Sequence, residues 1–208
     1  MSERPQRRWD DMYAAEEFVW GREPTDWVRR WAGTLVPGSV ADLGGGDGRN
    51  ALFLAGAGHT VTVVDIAPKA IDNLLRNARE AGLADRVRGV VANLASYEPA
   101  EEFDNIVSSY TLTFVPRTDL PRVLDRIMSW TRDGGINIVE SFTEQGGLAA
   151  AAPPTLTWFA RGELDELYRA AGWEVLGYEE FNIQTKQRDE SGQPHTQETA
   201  AVTARKSA

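Results

Sequence analysis

Short apolar segments alternate with amphipathic ones from residue 39 onward. The segments SVADL, TVTVVD, RVRGVVAN, FDNIVSSY and INIVESF are rich in β-branched residues and are typical of strands. Between them, apolar residues recur every three or four positions in GRNALFLAGAG, PKAIDNLLRNAREAG and RTDLPRVLDRIMSWTRDGG, which predicts three helices. Strands that alternate with helices indicate a parallel sheet covered by helices on both faces.

The rhythm changes after Phe142. Residues 143–160 show no clear period and contain glycines, prolines and aromatic residues, so we predict a long functional loop or lid there. The helix GELDELYRAAG follows, and the strands WEVLGYEEFNI and TQETAAVTA form a hairpin around the turn DESG. The pattern predicts an α/β fold: a Rossmann-like three-layer sandwich whose seven-stranded, mostly parallel sheet ends in a C-terminal antiparallel hairpin.

Residues 1–35 carry no strand signal. They look helical and are rich in aromatic residues, so we predict a helical arm attached to a single domain of residues 36–208.

The amino-acid composition argues against several classes of function. The formal net charge of -9 argues against a nucleic-acid binder, whose affinity would come from basic residues on phosphates. The chain has no cysteine and two distant histidines, so we expect no metal site. We find no secretory signal and no apolar run that could span a membrane, which favours a cytoplasmic protein. We expect a monomer or a homodimer.

The segment VADLGGGDGRN, residues 40–50, places four glycines between the first strand and the first helix. Ligands of open parallel sheets bind at such turns, where missing Cβ atoms let them approach the backbone. A dinucleotide-binding loop would need a third glycine where Arg49 stands, which disfavours a nicotinamide cofactor. Asp65 ends the second strand, where its carboxylate can accept the hydroxyl protons of a ribose.

The spacing of Asp42, Gly44, Gly46 and Gly48 resembles the first motif of class I S-adenosylmethionine-dependent methyltransferases. An acidic residue at a strand end suits the cationic sulfonium of that cofactor. The resemblance implies that S-adenosylmethionine is bound and S-adenosylhomocysteine released. It also implies that Asp65 holds the ribose and that Ile66 and Asn93 contact the adenine. The implied cofactor site comprises Asp42, Gly44, Gly45, Gly46, Gly48, Asn50, Asp65, Ile66, Asn93, Leu94 and Ser109.

Further segments, among them GDGRNALFLA, FDNIVSSYTLTFVPRTDLPRVL and FARGEL, resemble the tellurite-resistance methyltransferase family. This resemblance implies that the N-terminal arm covers the cofactor. It places Arg22 at the methionine carboxylate and gives Tyr13 and Trp20 a part in the cofactor site. The family has a His-Arg pair beside the acceptor, but this chain has Lys186 and Gln187 there.

The resemblance implies in-line transfer of a methyl group to a small-molecule acceptor. Such a transfer needs no metal, and the candidates for a general base are Tyr110, Glu140 and Lys186. The apolar segment LAAAAPPTLTWF suits an organic acceptor with a flat or apolar body, whereas the family pattern favours a small oxyanion. Two alternatives stay open: a biosynthetic enzyme that uses the same cofactor for another step, such as a cyclisation, and a non-catalytic cofactor-binding module.

Overall fold

A seven-stranded sheet forms the centre of this computed structural model, which describes residues 4–15, 18–151, 156–188 and 191–207. The order of the strands in the sheet is β3-β2-β1-β4-β5-β7-β6, and β1 to β5 run parallel. Strand β7 lies antiparallel between β5 and β6. The predicted fold class is therefore confirmed. The strands β1 to β7 are Ser39–Leu43, Thr60–Asp65, Val87–Val91, Phe103–Ser109, Thr131–Gly146, Glu174–Arg188 and Pro194–Arg205.

Helices cover both faces of the sheet. In the described ranges, α1 to α7 are Arg4–Ala15, Asp26–Trp31, Arg49–Gly56, Pro68–Glu80, Leu120–Ser129, Gly147–Ala151 and Glu163–Ala170. One apolar core packs residues of α2, α3 and α4 against the sheet, including Val28, Leu54 and Leu74. The other packs α5 and α7 against the opposite face, including Ile127 and Tyr168. Burial on both faces explains the continuous apolar run in β2.

The sheet topology places the ligand crevice. Strand β1 pairs with β2 on one side and with β4 on the other, so the chain reverses its direction of winding at β1. In open α/β sheets the carboxyl ends of the strands at such a point form the binding crevice. The glycine-rich turn after β1 lies there.

The predicted helix after residue 117 ends earlier than the sequence pattern indicates. Helix α5 stops at Ser129, and Thr131 already pairs with Phe103 as the first residue of β5. Gly134 has φ +76°, a left-handed conformation that a helix does not contain. The strand pairing of this segment therefore prevails over its helical pattern.

The loop predicted for residues 143–160 also begins differently. Strand β5 continues to Gly146, which pairs with Gln197 of β7, and the short helix α6 follows. The polar sequence TEQG has no strand periodicity of its own, and its antiparallel partner β7 supplies the hydrogen bonds. Residues 152–155 and the predicted turn residues 189–190 lie outside the described ranges.

One prediction concerns the packing of α2 on the hairpin. A Cβ atom on Gly177 of β6 would lie 2.1 Å from the indole ring of Trp31, so Gly177→Ala forces the ring or the strand to move. We expect Gly177→Ala to lower the free energy of unfolding by about 1–3 kcal/mol in urea denaturation. Gly56→Ala is the matched control, since nothing lies within 4 Å of its added methyl group. Equal stabilities of the two variants would contradict this packing.

Candidate functional site

The glycine loop after β1 is packed so closely that side chains cannot replace its hydrogens. Gly44 has φ +68°, and a Cβ atom there would lie 2.1 Å from Oγ1 of Thr111. Gly46 has φ +57°, and its Cβ would lie 2.3 Å from the hydroxyl of Tyr13. Both the backbone conformation and the neighbours therefore require glycine.

Asp65 lies at the carboxyl end of β2 and faces this loop. Its two carboxylate oxygens accept hydrogen bonds from the backbone N–H groups of Gly46 (3.0 Å) and Ala67 (2.9 Å). Burial raises the pKa of Asp65, and the backbone donors act in the opposite direction. Each carboxylate oxygen has two acceptor sites, so both oxygens can accept a further hydrogen bond from a ligand.

Asp42 is buried beneath the loop. A Cβ atom on Gly45 would lie 2.6 Å from its carboxylate, and the residue is 1% exposed. Neither carboxylate oxygen has a hydrogen-bond partner among the described residues. Burial, above all other causes, raises the pKa of Asp42 to about 7.

The N-terminal arm is tied to the loop and to α4. Asp47, inside the glycine loop, accepts a 2.8 Å hydrogen bond from the N–H of Val19. The carboxylate of Asp10 accepts one from the N–H of Lys69, which is otherwise an unsatisfied donor in the first turn of α4. At the far side of the crevice, the ring of Trp9 meets that of Phe114 edge-on, with centroids 4.8 Å apart. The arm therefore crosses the crevice from α4 to the segment after β4.

Tyr13 and Trp20 are two of the three arm residues that the sequence assigned to the cofactor site, and both lie beside the glycine loop. Tyr13 is buried with its hydroxyl against Gly46, and the indole N–H of Trp20 donates to that hydroxyl at 3.3 Å. Burial and the nearby charge of Asp65 raise the pKa of Tyr13. The hydroxyl is therefore protonated at neutral pH and can donate a hydrogen bond.

Arg49 is a site residue that sequence analysis did not assign. It begins α3, is half-buried, and donates to the backbone oxygen of Trp20 at 3.2 Å. Its positive charge lowers the pKa of Asp42, Asp47 and Glu140. Two sequence signals concerned it: its position, where a dinucleotide loop has glycine, and the glycine-Arg-Asn that opens the first helix in the family pattern.

Arg22 lies at the surface beside Phe18, and its role at the methionine carboxylate stays a prediction. Its guanidinium lies 3.8 Å from the centre of the Phe18 ring. The same surface includes Leu52 of α3 together with Asn77 and Glu80 of α4. Arg22 is exposed there.

Glu140 belongs to a closed ring of hydrogen bonds. Its Oε2 accepts from the hydroxyls of Thr25 (2.5 Å) and Ser109 (2.7 Å). Ser109 accepts from the side-chain amide of Asn50 at 3.1 Å, and the amide oxygen of Asn50 accepts from the N–H of Thr25 at 2.9 Å. Thr25 is also the N-cap of α2, where its side chain accepts from the N–H of Val28. The ring therefore fixes α2, α3, β4 and β5 to one another.

The three candidate bases fit that role poorly. Glu140 is 1% exposed, and its Oε2 already accepts two hydrogen bonds. Burial raises the pKa of Tyr110, and the neighbouring charge of Glu140 raises it further, so the phenol holds its proton. Lys186 was a candidate on the condition that it is buried, but its side chain is exposed and its Nζ donates to the backbone oxygen of Val19. The side chain of Gln187 lies outside the described part of the structure.

The residues expected at an adenine lie at the ends of β2 and β3. Ile66 is half-buried directly after Asp65. The side-chain oxygen of Asn93 accepts from the N–H of Ala95 at 2.9 Å and so closes a turn. Leu94 packs against the core on the α5 side of the sheet. Ile66 is thus placed to contact a ligand, whereas Asn93 and Leu94 have structural contacts of their own.

The site is strongly acidic. Asp42, Asp47, Asp65 and Glu140 are all buried, and burial is the largest cause that raises each of their pKa values. Such a site disfavours a pyrophosphate, which carries two negative charges, and favours a ligand with positive charge. In the described ranges no three His, Cys, Asp or Glu side chains are grouped as metal ligands, and no helix is long and apolar enough to cross a bilayer.

Comparison with known proteins agrees with this geometry. The model of the family described as "Tellurite resistance protein TehB" matches residues 21–200. A solved structure, that of TehB from Haemophilus influenzae, superposes with a TM-score of 0.78 at 27% identity, and the match covers 95% of this chain and 67% of that one.

Two relatives are similar over most of this chain. "Hemagglutinin 1" of Eikenella corrodens is 32% identical over 167 residues, which is 80% of this chain and 54% of that protein. A protein of Haemophilus influenzae strain 10810, named "Probable S-adenosyl-L-methionine-dependent methyltransferase TehB", is 30% identical over 83% of this chain and 58% of its own length. The chain therefore spans little more than half of these relatives.

The buried charge of Asp42 predicts a pH dependence of stability. The folded state binds the proton of Asp42 more tightly than the unfolded state, whose pKa is near 3.8. This contribution to stability is therefore fully present only below about pH 3.8, falls progressively as the pH rises from there, and is lost once the pH has passed about 7. Relative to Asp42→Asn, we expect the wild type to lose about 3 kcal/mol of unfolding free energy between about pH 5 and pH 8 in urea denaturation.

The matched control is Asp125→Asn, which removes an exposed carboxylate of α5. Its stability should follow that of the wild type across the same pH range. Parallel curves for the wild type and Asp42→Asn would show that Asp42 titrates normally in the folded protein.

Proposed function

The chain belongs to the tellurite resistance protein TehB family, and we propose that it is an S-adenosylmethionine-dependent methyltransferase that acts on a small molecule. The observation that carries the proposal is the acidic crevice at the glycine loop, with the acceptor groups of Asp65 at the end of β2. The family and the crevice point to the same cofactor through independent arguments.

The residues around the loop fit this cofactor. The carboxylate of Asp65 lies beside the glycine loop and has capacity for the two ribose hydroxyls. Asp42 is buried beneath the loop with a pKa raised to about 7, and a cation bound there would favour its ionised form. In this proposal Arg49 pairs with the methionine carboxylate, and Ile66 packs on the adenine.

The cofactor, when bound, supplies an activated methyl group on a positively charged sulfur. The chain itself contributes position and the exclusion of water. Correct alignment of the reacting groups is worth ~7–11 kcal/mol of the barrier, so no base within the chain is required for an acceptor that is already a good nucleophile. The arm contributes to the exclusion of water because it crosses the crevice. Tyr13 of the arm contacts Gly46, and the ring of Trp9 contacts that of Phe114.

Titration of S-adenosylhomocysteine into the protein tests the cofactor. We expect binding in the micromolar range by calorimetry and a loss of at least about 100-fold in Asp65→Ala, because two charge-assisted hydrogen bonds disappear. Asp125→Ala, which removes an exposed carboxylate, is the control and should bind as the wild type does. Thermal melts of both variants separate loss of binding from loss of fold. Unchanged affinity in Asp65→Ala would remove the central inference.

A pair of arginine variants tests which cation holds the carboxylate. We expect Arg49→Met to weaken S-adenosylhomocysteine binding by about 10- to 100-fold, because a charge-assisted pair is lost inside a buried site. Arg22→Met removes the same charge from the surface beside Phe18 and should change the affinity less than about twofold. The opposite ranking would favour the sequence expectation for Arg22.

The reaction class is tested with methyl-labelled cofactor. Label that moves from S-adenosylmethionine to a small acceptor supports the methyltransferase proposal. An acceptor that is converted without label would indicate a non-methylating enzyme such as a cyclase. Binding of the cofactor without any conversion over a broad acceptor panel would favour a binding module.

A further inference from the structure

Three aromatic rings form a continuous row that starts beside the glycine loop. The rings of Tyr110 and Phe142 have centroids 4.8 Å apart, and those of Phe142 and Trp158 are stacked at 6.2 Å with planes 24° apart. All three side chains are only half-buried, so each ring offers some surface to a ligand. We call these three residues the aromatic row.

The inner end of the aromatic row is adjacent to the proposed cofactor site. Tyr110 directly follows Ser109, whose hydroxyl belongs to the hydrogen-bond ring around Glu140. The next residue, Thr111, is the one whose side chain meets Gly44 of the loop. A molecule that lies on the row therefore has one end close to the glycine loop.

The backbone fixes the rings in place. Tyr110 has φ +64°, which is unusual for a residue with a large side chain, and its N–H donates to the backbone oxygen of Glu140 at 2.8 Å. Trp158 lies between two anchored residues: Thr157 donates its N–H to Thr113, and the N–H of Phe159 donates to the oxygen of Phe142. A fixed wall of this kind loses little entropy when a ligand stacks on it.

The outer end of the aromatic row opens into a concavity of about 380 Å³ that Leu156, Thr157 and Trp158 line. This volume lies within the usual range for sites of small organic ligands. Arg117, Glu144 and Glu163 form its charged part, and Arg117 is paired with Glu163. Two carboxylates against one paired arginine disfavour an anionic ligand there.

Lys186, which stands where the family pattern has a cation beside the acceptor, contacts the N-terminal arm. Nζ of Lys186 donates to the backbone oxygen of Val19 and lies 5.9 Å from the centre of the Trp20 ring. Both partners belong to the N-terminal arm. Lys186 therefore serves the contact between the hairpin and the arm in this structure.

We propose that the acceptor is a flat aromatic or heteroaromatic molecule, neutral or cationic, that stacks on Phe142 and Trp158 and presents a nucleophilic oxygen or nitrogen near Tyr110. This assignment rests on the proposed methyltransferase function. The lone pair of that heteroatom forms the new bond to the methyl carbon while the carbon–sulfur bond breaks. The electrons of the broken bond stay on the sulfur, which becomes neutral. The proton of the heteroatom passes to water. The phenol of Tyr110, which holds its proton, positions the heteroatom by hydrogen bonding.

The test is calorimetric titration of 2,3-dihydroxynaphthalene and 6-hydroxyquinoline into protein saturated with S-adenosylhomocysteine, with sodium selenite and sodium tellurite as oxyanion probes. We expect the flat probes to bind and the oxyanions not to bind. Phe142→Leu and Trp158→Leu should each weaken the flat probes by ~3- to 10-fold, the range expected when one stacking ring is lost. Neither variant should change the affinity for S-adenosylhomocysteine by more than about twofold.

Phe53→Leu is the matched control, because Phe53 is an equally half-buried phenylalanine on the outer face of α3. It should leave the binding of every probe unchanged. If the protein binds S-adenosylhomocysteine but neither flat probe, the acceptor assignment is wrong and the proposed function is unaffected. The same conclusion follows if the oxyanions bind in place of the flat probes. Failure of the wild type to bind S-adenosylhomocysteine overturns the proposed function and the acceptor assignment with it.

Discussion

The site depends on one constraint, which is that the turn after β1 has no room for Cβ atoms. Thr111, Tyr13 and Leu74 occupy the space beside Gly44, Gly46 and Gly48, and the carboxylate of Asp42 lies against Gly45. The loop can therefore take its left-handed conformations and remain in contact with three different parts of the chain. The same bare backbone that a ligand would use is what holds the arm, β4 and α4 against the loop.

The hydrogen-bond ring around Glu140 extends this constraint to the rest of the crevice. A buried carboxylate is tolerated only when its desolvation is offset by donors, and Thr25 and Ser109 supply two. Because the ring closes through Asn50, none of its members can move alone. The ring explains why a carboxylate that looked like a candidate base is better described as the residue that positions four elements.

Electrostatics and packing divide the crevice into two regions with different properties. Around the loop lie buried carboxyl groups with raised pKa values, and the positive charge of Arg49 partly offsets that rise for Asp42, Asp47 and Glu140. Beyond Tyr110 the surface becomes aromatic, and its charged rim is net acidic. A cationic cofactor at the first region and a flat, non-anionic acceptor at the second would each meet complementary chemistry. The order of these regions along the sheet edge follows from the order of β1, β4 and β5.

The sequence by itself determined the elements and the loop. Apolar periodicity located the strands and most of the helices, and the glycine spacing with Asp65 marked the ligand crevice, because both depend on residues close together in the chain. Only the tertiary structure decided which polar groups meet. It joined Thr25 to Glu140 in a ring of hydrogen bonds, and it extended β5 along β7. These contacts join residues far apart in the chain, and no local pattern encodes the distance between such residues.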